Sequence, residues 1–170
     1  MTINNDNEKF IVYFRHWMAI LLPIVGLLLV LNHIFNLQFF SGIIIIEKSF
    51  NFLIVGILLP LVFIHFPISK KINLCWLDIL LFFVCGLLFF ILSWHGYEII
   101  FKGYEYSAPL FFVVISIMIW AILIESVRRT ANNILMIIIL IVSFYPLFAK
   151  YMPGLMQGIS RPFQKIAVFH

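Results

Sequence analysis

The amino-acid sequence predicts an all-α fold, a polytopic integral membrane helical bundle with about five transmembrane helices, and three observations lead to it. The first is length: residues 17–37, 50–66, 76–97, 107–124 and 131–151 are five apolar stretches. A hydrocarbon core of roughly 30 Å is crossed by about 20 helical residues rising about 1.5 Å each. The second is composition, 64% hydrophobic and 11% charged with a mean hydropathy of +1.14. A soluble domain carries about 25% charged residues, and the apolar stretches leave no room for a soluble catalytic domain. The third is placement, because almost every charge lies in the short joints between stretches. Helices are the expected spanning element, since lipid offers no partner to a free backbone N–H or C=O. A barrel strand alternates polar with apolar residues, and runs such as 136–142 alternate nothing.

Taken in order, residues 1–16 read as a polar cytoplasmic tail carrying Lys9 and Arg15. The first span, 17–37, has no small-residue cleavage site before Asn32, so an uncleaved helix is expected rather than a signal peptide. Pro23 and Pro60 fall inside the first and second spans, where each removes a hydrogen-bond donor and favours a kink. Pro67 closes the second span, and Asp78 stands about one turn into the third. Gly103 and Pro109 punctuate the joint before the fourth span, at whose end lie Glu125, Arg128 and Arg129. Residues 17–130 thus form a four-helix bundle. Residues 131–151, with Pro146 near their end, form a fifth, connector-like helix, and 152–170 a tail. Trp17, Trp76, Trp94 and Tyr97 fall near the expected interfaces, where amphipathic rings are favoured.

Basic residues give an orientation. A cytoplasmic N-terminus puts Lys9, Arg15, Lys70, Lys71, Arg128 and Arg129 inside, and leaves Lys48 and Lys102 in the outer loops, six against two. Five spans then place the C-terminal tail on the periplasmic side, where Lys150, Arg161 and Lys165 narrow the bias to six against five. The net charge of +4 is scattered through loops. That pattern fits topology and anionic lipid, not nucleic acid.

Ionisable groups in the membrane zone are costly and each needs a reason. Asp78, Glu125, Lys70, Lys71, Arg128 and Arg129 share the expected inner layer. Two readings stand: a salt-bridge layer that anchors helix ends, and a docking surface for a neighbouring subunit. No Asp or Glu lies near mid-membrane, where a proton relay would need one. Histidines offer an alternative of another class. His16 and His65 fall near the inner face, His33 and His95 near the outer, the arrangement of a b-type cytochrome membrane anchor with paired axial imidazoles. A generic membrane scaffold is the third reading. Cys75 and Cys85, ten residues apart on one expected helix, lie about 15 Å apart along its axis, too far for a disulfide. Both are expected to be buried small apolar residues. The outer loop holds Tyr97, Glu98, Tyr104, Glu105 and Tyr106, which suit either an interfacial belt or a contact patch for a soluble partner. No metal-ligand spacing, nucleophile elbow, P-loop or HExxH motif occurs, so neither a cofactor nor a catalytic residue is expected.

One succession of motifs carries a family resemblance. Phe66-Pro67 followed by Lys70-Lys71, then Asp78, then Ile124-Glu125-Ser126-Val127-Arg128-Arg129-Thr130, then Tyr151-Met152-Pro153-Gly154-Leu155 occur in that order. Over roughly residues 50–160 this resembles the fused permeases of tripartite ATP-independent periplasmic (TRAP) transporters, TAXI subgroup. The strongest element is the Glu-x-x-Arg-Arg ending of the fourth helix. The resemblance implies a small Q-type scaffold in a bacterial or archaeal cytoplasmic membrane, partnered by a large M-type permease. A periplasmic substrate-binding protein would deliver a small organic anion, a carboxylate, and an ion gradient would drive its uptake. In fused members a fifth helix leads into the M part, which matches the fifth span. Asn132-Asn133 stand where a glycine often follows the arginines, and Ala149 where a glycine is expected. The sequence stops at His170, so the resemblance implies either a separate M polypeptide or a shortened fused gene.

Overall fold

The computed structural model describes residues 5–35, 46–68, 72–104, 107–151 and 153. Every regular element among them is helical: α1 (Asn5–Ile34), α2 (Glu47–Leu58), α3 (Leu61–His65), α4 (Ile72–Trp94), α5 (Gly96–Phe101), α6 (Leu110–Thr130), α7 (Asn133–Phe148) and a terminal 3-10 turn (Ala149–Tyr151). The all-α expectation holds. Four segments are long and apolar enough to cross a membrane: Ile11–Ile34, Glu47–His65, Trp76–Trp94 and Leu110–Thr130. The fifth, Asn133–Leu147, is apolar but shorter. The 16 residues of α7 rise about 24 Å and the 3-10 turn adds about 6 Å, a combined rise near the hydrocarbon thickness.

The boundaries differ from expectation where polar residues favour a helix that hydropathy does not register. Helix α1 starts at Asn5, so most of the expected tail is helical, and Pro23 lies inside one continuous element. Helix α6 runs on to Thr130, carrying Glu125, Arg128 and Arg129 within it. Pairs at i,i+3 and i,i+4 stabilise a helix whatever its hydropathy.

Two compact units divide the chain, Met1–Gly96 and Tyr97–His170. In the first, α2 packs on α1 and α4, and α3 packs on the same two helices. At Pro60, where a kink is expected, the span Glu47–His65 stays helical in its dihedrals and changes its hydrogen bonding locally. Leu59 N–H still donates to Val55 O, but Val62 and Phe63 then donate to Leu59 O and Pro60 O, the tighter i→i+3 spacing. Phe63, one turn past Pro60, is fully buried.

Close approach of α2 to α4 needs small residues. A Cβ on Gly56 would sit 2.7 Å from Cβ of Phe89, while one on Gly86 would lie 3.7 Å from Gly56 O, an ordinary contact. At the far end a Cβ on Gly96 would overlap Ser49, whose carbonyl accepts a 2.7 Å bond from Ser93 Oγ. Helix α4 buries Asp78, Phe82, Cys85, Phe89 and Leu92, one stripe at alternating spacings of four and three. Cys85 meets its expectation as a buried free thiol; the side chain of Cys75 lies outside the description.

In the second unit, α5 ends in a Schellman motif. Tyr104 N–H reaches Ile99 O at 3.0 Å, Gly103 N–H reaches Ile100 O at 3.3 Å, and Gly103 has φ +64°, where glycine carries no Cβ penalty. Pro109, in extended conformation, precedes α6. Helices α6 and α7 pack as a hairpin joined by Ala131 and Asn132, with Trp120 edge-on to Phe144 at 5.3 Å.

Candidate functional site

The C-terminal turn of α6 is the densest polar cluster among the described residues of the second unit. The buried stripe of this helix comprises Phe112, Ile115, Ile119, Ile122 and Ser126, and the next step of three residues reaches Arg129. Its side chain is accordingly only 3% exposed, whereas Arg128, rotated about 100° away, is 43% exposed. Glu125 lies between them and holds both. Arg128 donates Nε to Oε2 and Nη2 to Oε1, each at 2.7 Å, and Arg129 donates Nε to Oε1 at 2.8 Å. Three guanidinium N–H groups therefore converge on one carboxylate, with a planar fork on the Arg128 side. The carboxylate is occupied by its own helix's arginines, and what the cluster offers outward is the Arg128 guanidinium.

Local hydrogen bonds set this cluster in place. Ser126 Oγ donates to Leu123 O at 2.7 Å and Thr130 Oγ1 to Ser126 O at 2.9 Å, occupying carbonyls near the end of the helix. Ala131 N–H closes the last turn on Val127 O. Asn132 is extended and its Oδ1 accepts from Asn133 N–H at 2.7 Å, so α7 starts at once. Two residues thus separate the arginine pair's helix from the next apolar one.

Of the other residues singled out in the sequence, Asp78 is 4% exposed and heads the buried stripe of α4 in the first unit. Lys70 and Lys71 lie outside the described residues, as do Glu105, Tyr106 and the 154–170 tail. The histidines separate to two ends of the first unit. His65 closes α3, and its Nδ1 lies 3.0 Å from Leu61 O, while His16 follows Arg15, whose guanidinium reaches that same end. At the opposite end the His33 ring stacks on Phe50 at 3.8 Å and 9°, and His95 Nδ1 lies 2.9 Å from Ile91 O. In the α5 loop, Lys102 pairs with Glu98 at 2.7 Å and lies 5.9 Å over the Tyr104 ring. Hydrogen bonding to Glu98 raises the Lys102 pKa above its ordinary value. No group of three or more His, Cys, Asp or Glu side chains able to hold a metal ion occurs among the described residues.

Arg15 is the polar residue whose role sequence reading missed. It counts there only as a positive charge, yet its Nε and Nη2 both donate to Ile64 O, at 3.1 and 2.5 Å. The signal that could have found it is the Phe66-Pro67 break, which leaves carbonyls of the preceding turn without amide partners. Ser93 was likewise passed over, although a buried hydroxyl in an apolar helix needs an acceptor. No family model, curated protein or solved structure matches the chain.

Proposed function

We propose that the protein is the small, Q-type membrane subunit of a TAXI-type TRAP transporter. In this role it scaffolds a large M-type permease in the cytoplasmic membrane of a bacterium or archaeon. A periplasmic binding protein delivers a small carboxylate, and an ion gradient drives its uptake. The observation that supports the reading best is the end of α6, where Glu125 clamps Arg128 and Arg129 and only two residues separate Thr130 from the next apolar helix. Those residues, in that helix context, carry the strongest part of the family resemblance. On this reading Asp78, Glu125, Arg128 and Arg129, with Lys70 and Lys71, form the inner polar layer that sets topology and docks the permease.

Affinity purification of the full chain from membranes of its source cells, in mild detergent, tests the proposal. A large multi-span permease in stoichiometric amount is expected, and deletion of the chain should abolish binding-protein-dependent carboxylate uptake. Stoichiometric haem with a Soret band, lost on replacing His33 and His95, would instead establish the cytochrome anchor. Reporter fusions should place the N-terminus in the cytoplasm and the end of the chain in the periplasm.

A further inference from the structure

Opposite its buried stripe, α4 presents a second one. Trp76, Leu80, Phe83, Leu87, Phe90 and Trp94 repeat at spacings of four and three and are all exposed, the two indoles by 65% and 76%. From the first tryptophan to the last is eighteen residues, a rise of about 27 Å, close to a hydrocarbon core of roughly 30 Å. Indoles favour the level of the headgroups, so each end of the stripe carries the residue suited to an interface. Between them stand only bulky Leu and Phe, with no Gly, Ala, Ser or Thr.

Helix–helix contacts in membranes are enriched in small and hydrogen-bonding residues, because lipid tails are as apolar as leucine and hydrophobicity alone does not favour a helix partner. The buried side of α4 supplies them, through Gly86, Ser93 and the close approach of Gly56. The two faces therefore differ in kind and not merely in accessibility. We propose that the Trp76–Trp94 face of α4 is a lipid surface: acyl chains cover Leu80 to Phe90, and the two indoles fix the helix at the two headgroup levels. Any partner subunit then docks on another face. This inference does not depend on the transporter reading.

Two measurements on the full chain test it. Single-tryptophan variants, with the remaining tryptophans replaced by Phe, are reconstituted into phosphatidylcholine vesicles carrying bromine either near the headgroup or near the chain ends. Trp76 and Trp94 should lose more emission to the shallow bromines, and an introduced Leu87→Trp more to the deep ones. In source cells, a photo-crosslinking amino acid at Leu80 or at Leu87 should give lipid adducts and no discrete protein adduct. An emission from Leu87→Trp that neither lipid quenches overturns the proposal, as does a protein adduct at either position. Both failures leave the permease co-purification test untouched, so the two readings fall separately.

Discussion

Arg15 caps the end of a helix that is not its own: from α1 it donates two hydrogen bonds to the carbonyl of Ile64 in α3. The α3 helix stops at His65, and Pro67 prevents its continuation. The Ile64 carbonyl therefore lacks the amide partner that another helical turn would supply, and a charged donor takes that place. Hydrogen bonds to charged groups contribute about 1.5–3 kcal/mol. Arg15→Ala should lower the free energy of unfolding in mixed micelles by about that amount. Arg15→Lys should recover only part of the loss, because an ammonium is a point donor and cannot reproduce the fork. Full recovery by lysine would show that the positive charge alone matters.

The α2–α4 crossing gives a sharper contrast, between glycines that differ in one distance. At Gly56 a methyl group would meet the Phe89 Cβ at 2.7 Å, next to backbone that cannot swing away. Gly56→Ala should therefore destabilise the protein by about 1–3 kcal/mol, the ordinary cost of overpacking. At Gly86 the nearest atom is 3.7 Å away, so Gly86→Ala should be neutral or stabilising through helix propensity, by up to about 1 kcal/mol. Gly103 is a third case. Nothing lies within 4 Å of its missing Cβ, but φ is +64°. Gly103→Ala should cost about 1–2 kcal/mol through conformation alone. Unfolding curves for the three alanine variants rank these mechanisms directly.

The Lys102 ammonium, outside the spans, is held by Glu98 and exposed. Its pKa is raised, chiefly by the hydrogen bond to Glu98, which outweighs the opposing effect of burial, with further support from the Glu98 charge and from Tyr104. A raised folded-state pKa means that the pair's contribution is fully present below the ordinary lysine value and is lost as pH rises through the folded one. Glu98→Gln should return the lysine toward its ordinary value. Titration of Lys102 by NMR of its side chain, with and without that substitution, measures the difference.

Much of this architecture was legible in the sequence because lipid imposes a coarse, strong constraint. Apolar length located the four long helices, and Pro60 and Pro109 marked a local change of hydrogen bonding and a start. What the sequence did not reveal is which way each helix faces. In α4 nearly every residue is apolar, so periodicity in hydropathy cannot separate Phe82, buried, from Phe83, exposed. Nor does side-chain size separate these two phenylalanines; only the placement of Gly86 and Ser93 on one side of the helix and of Trp76 and Trp94 on the other tells its faces apart. Hydropathy also ended the fourth span too early, at 124, because Glu125 and the arginines depress it while their mutual pairing keeps the helix intact. The role of Arg15 was invisible for another reason: counting charges by loop records sign and discards geometry.

The same limit applies to Arg128 and Arg129, neighbours in sequence that one residue's rotation places in different environments. Arg128 is 43% exposed, and its pair with Glu125 is a surface pair, contributing about 0–1 kcal/mol despite its fork. Arg129 belongs to the buried stripe of α6, and there the same carboxylate accepts from a cation shielded from solvent. Arg128→Gln should therefore shift unfolding by no more than about 1 kcal/mol. Arg129→Gln should cost about 1.5–3 kcal/mol, the value of hydrogen bonds to charged groups. Glu125→Gln removes the acceptor charge from both and should fall nearer to the Arg129 variant than to the Arg128 one. Under the docking role proposed for this cluster, the order reverses for partner binding. Arg128, the outward group, should reduce co-purification of the permease when neutralised, while Arg129→Lys, which keeps the buried charge, should leave it intact. Equal effects of the two arginines in both assays would mean that the cluster acts only through net charge, as a topology signal, and the docking role would fall.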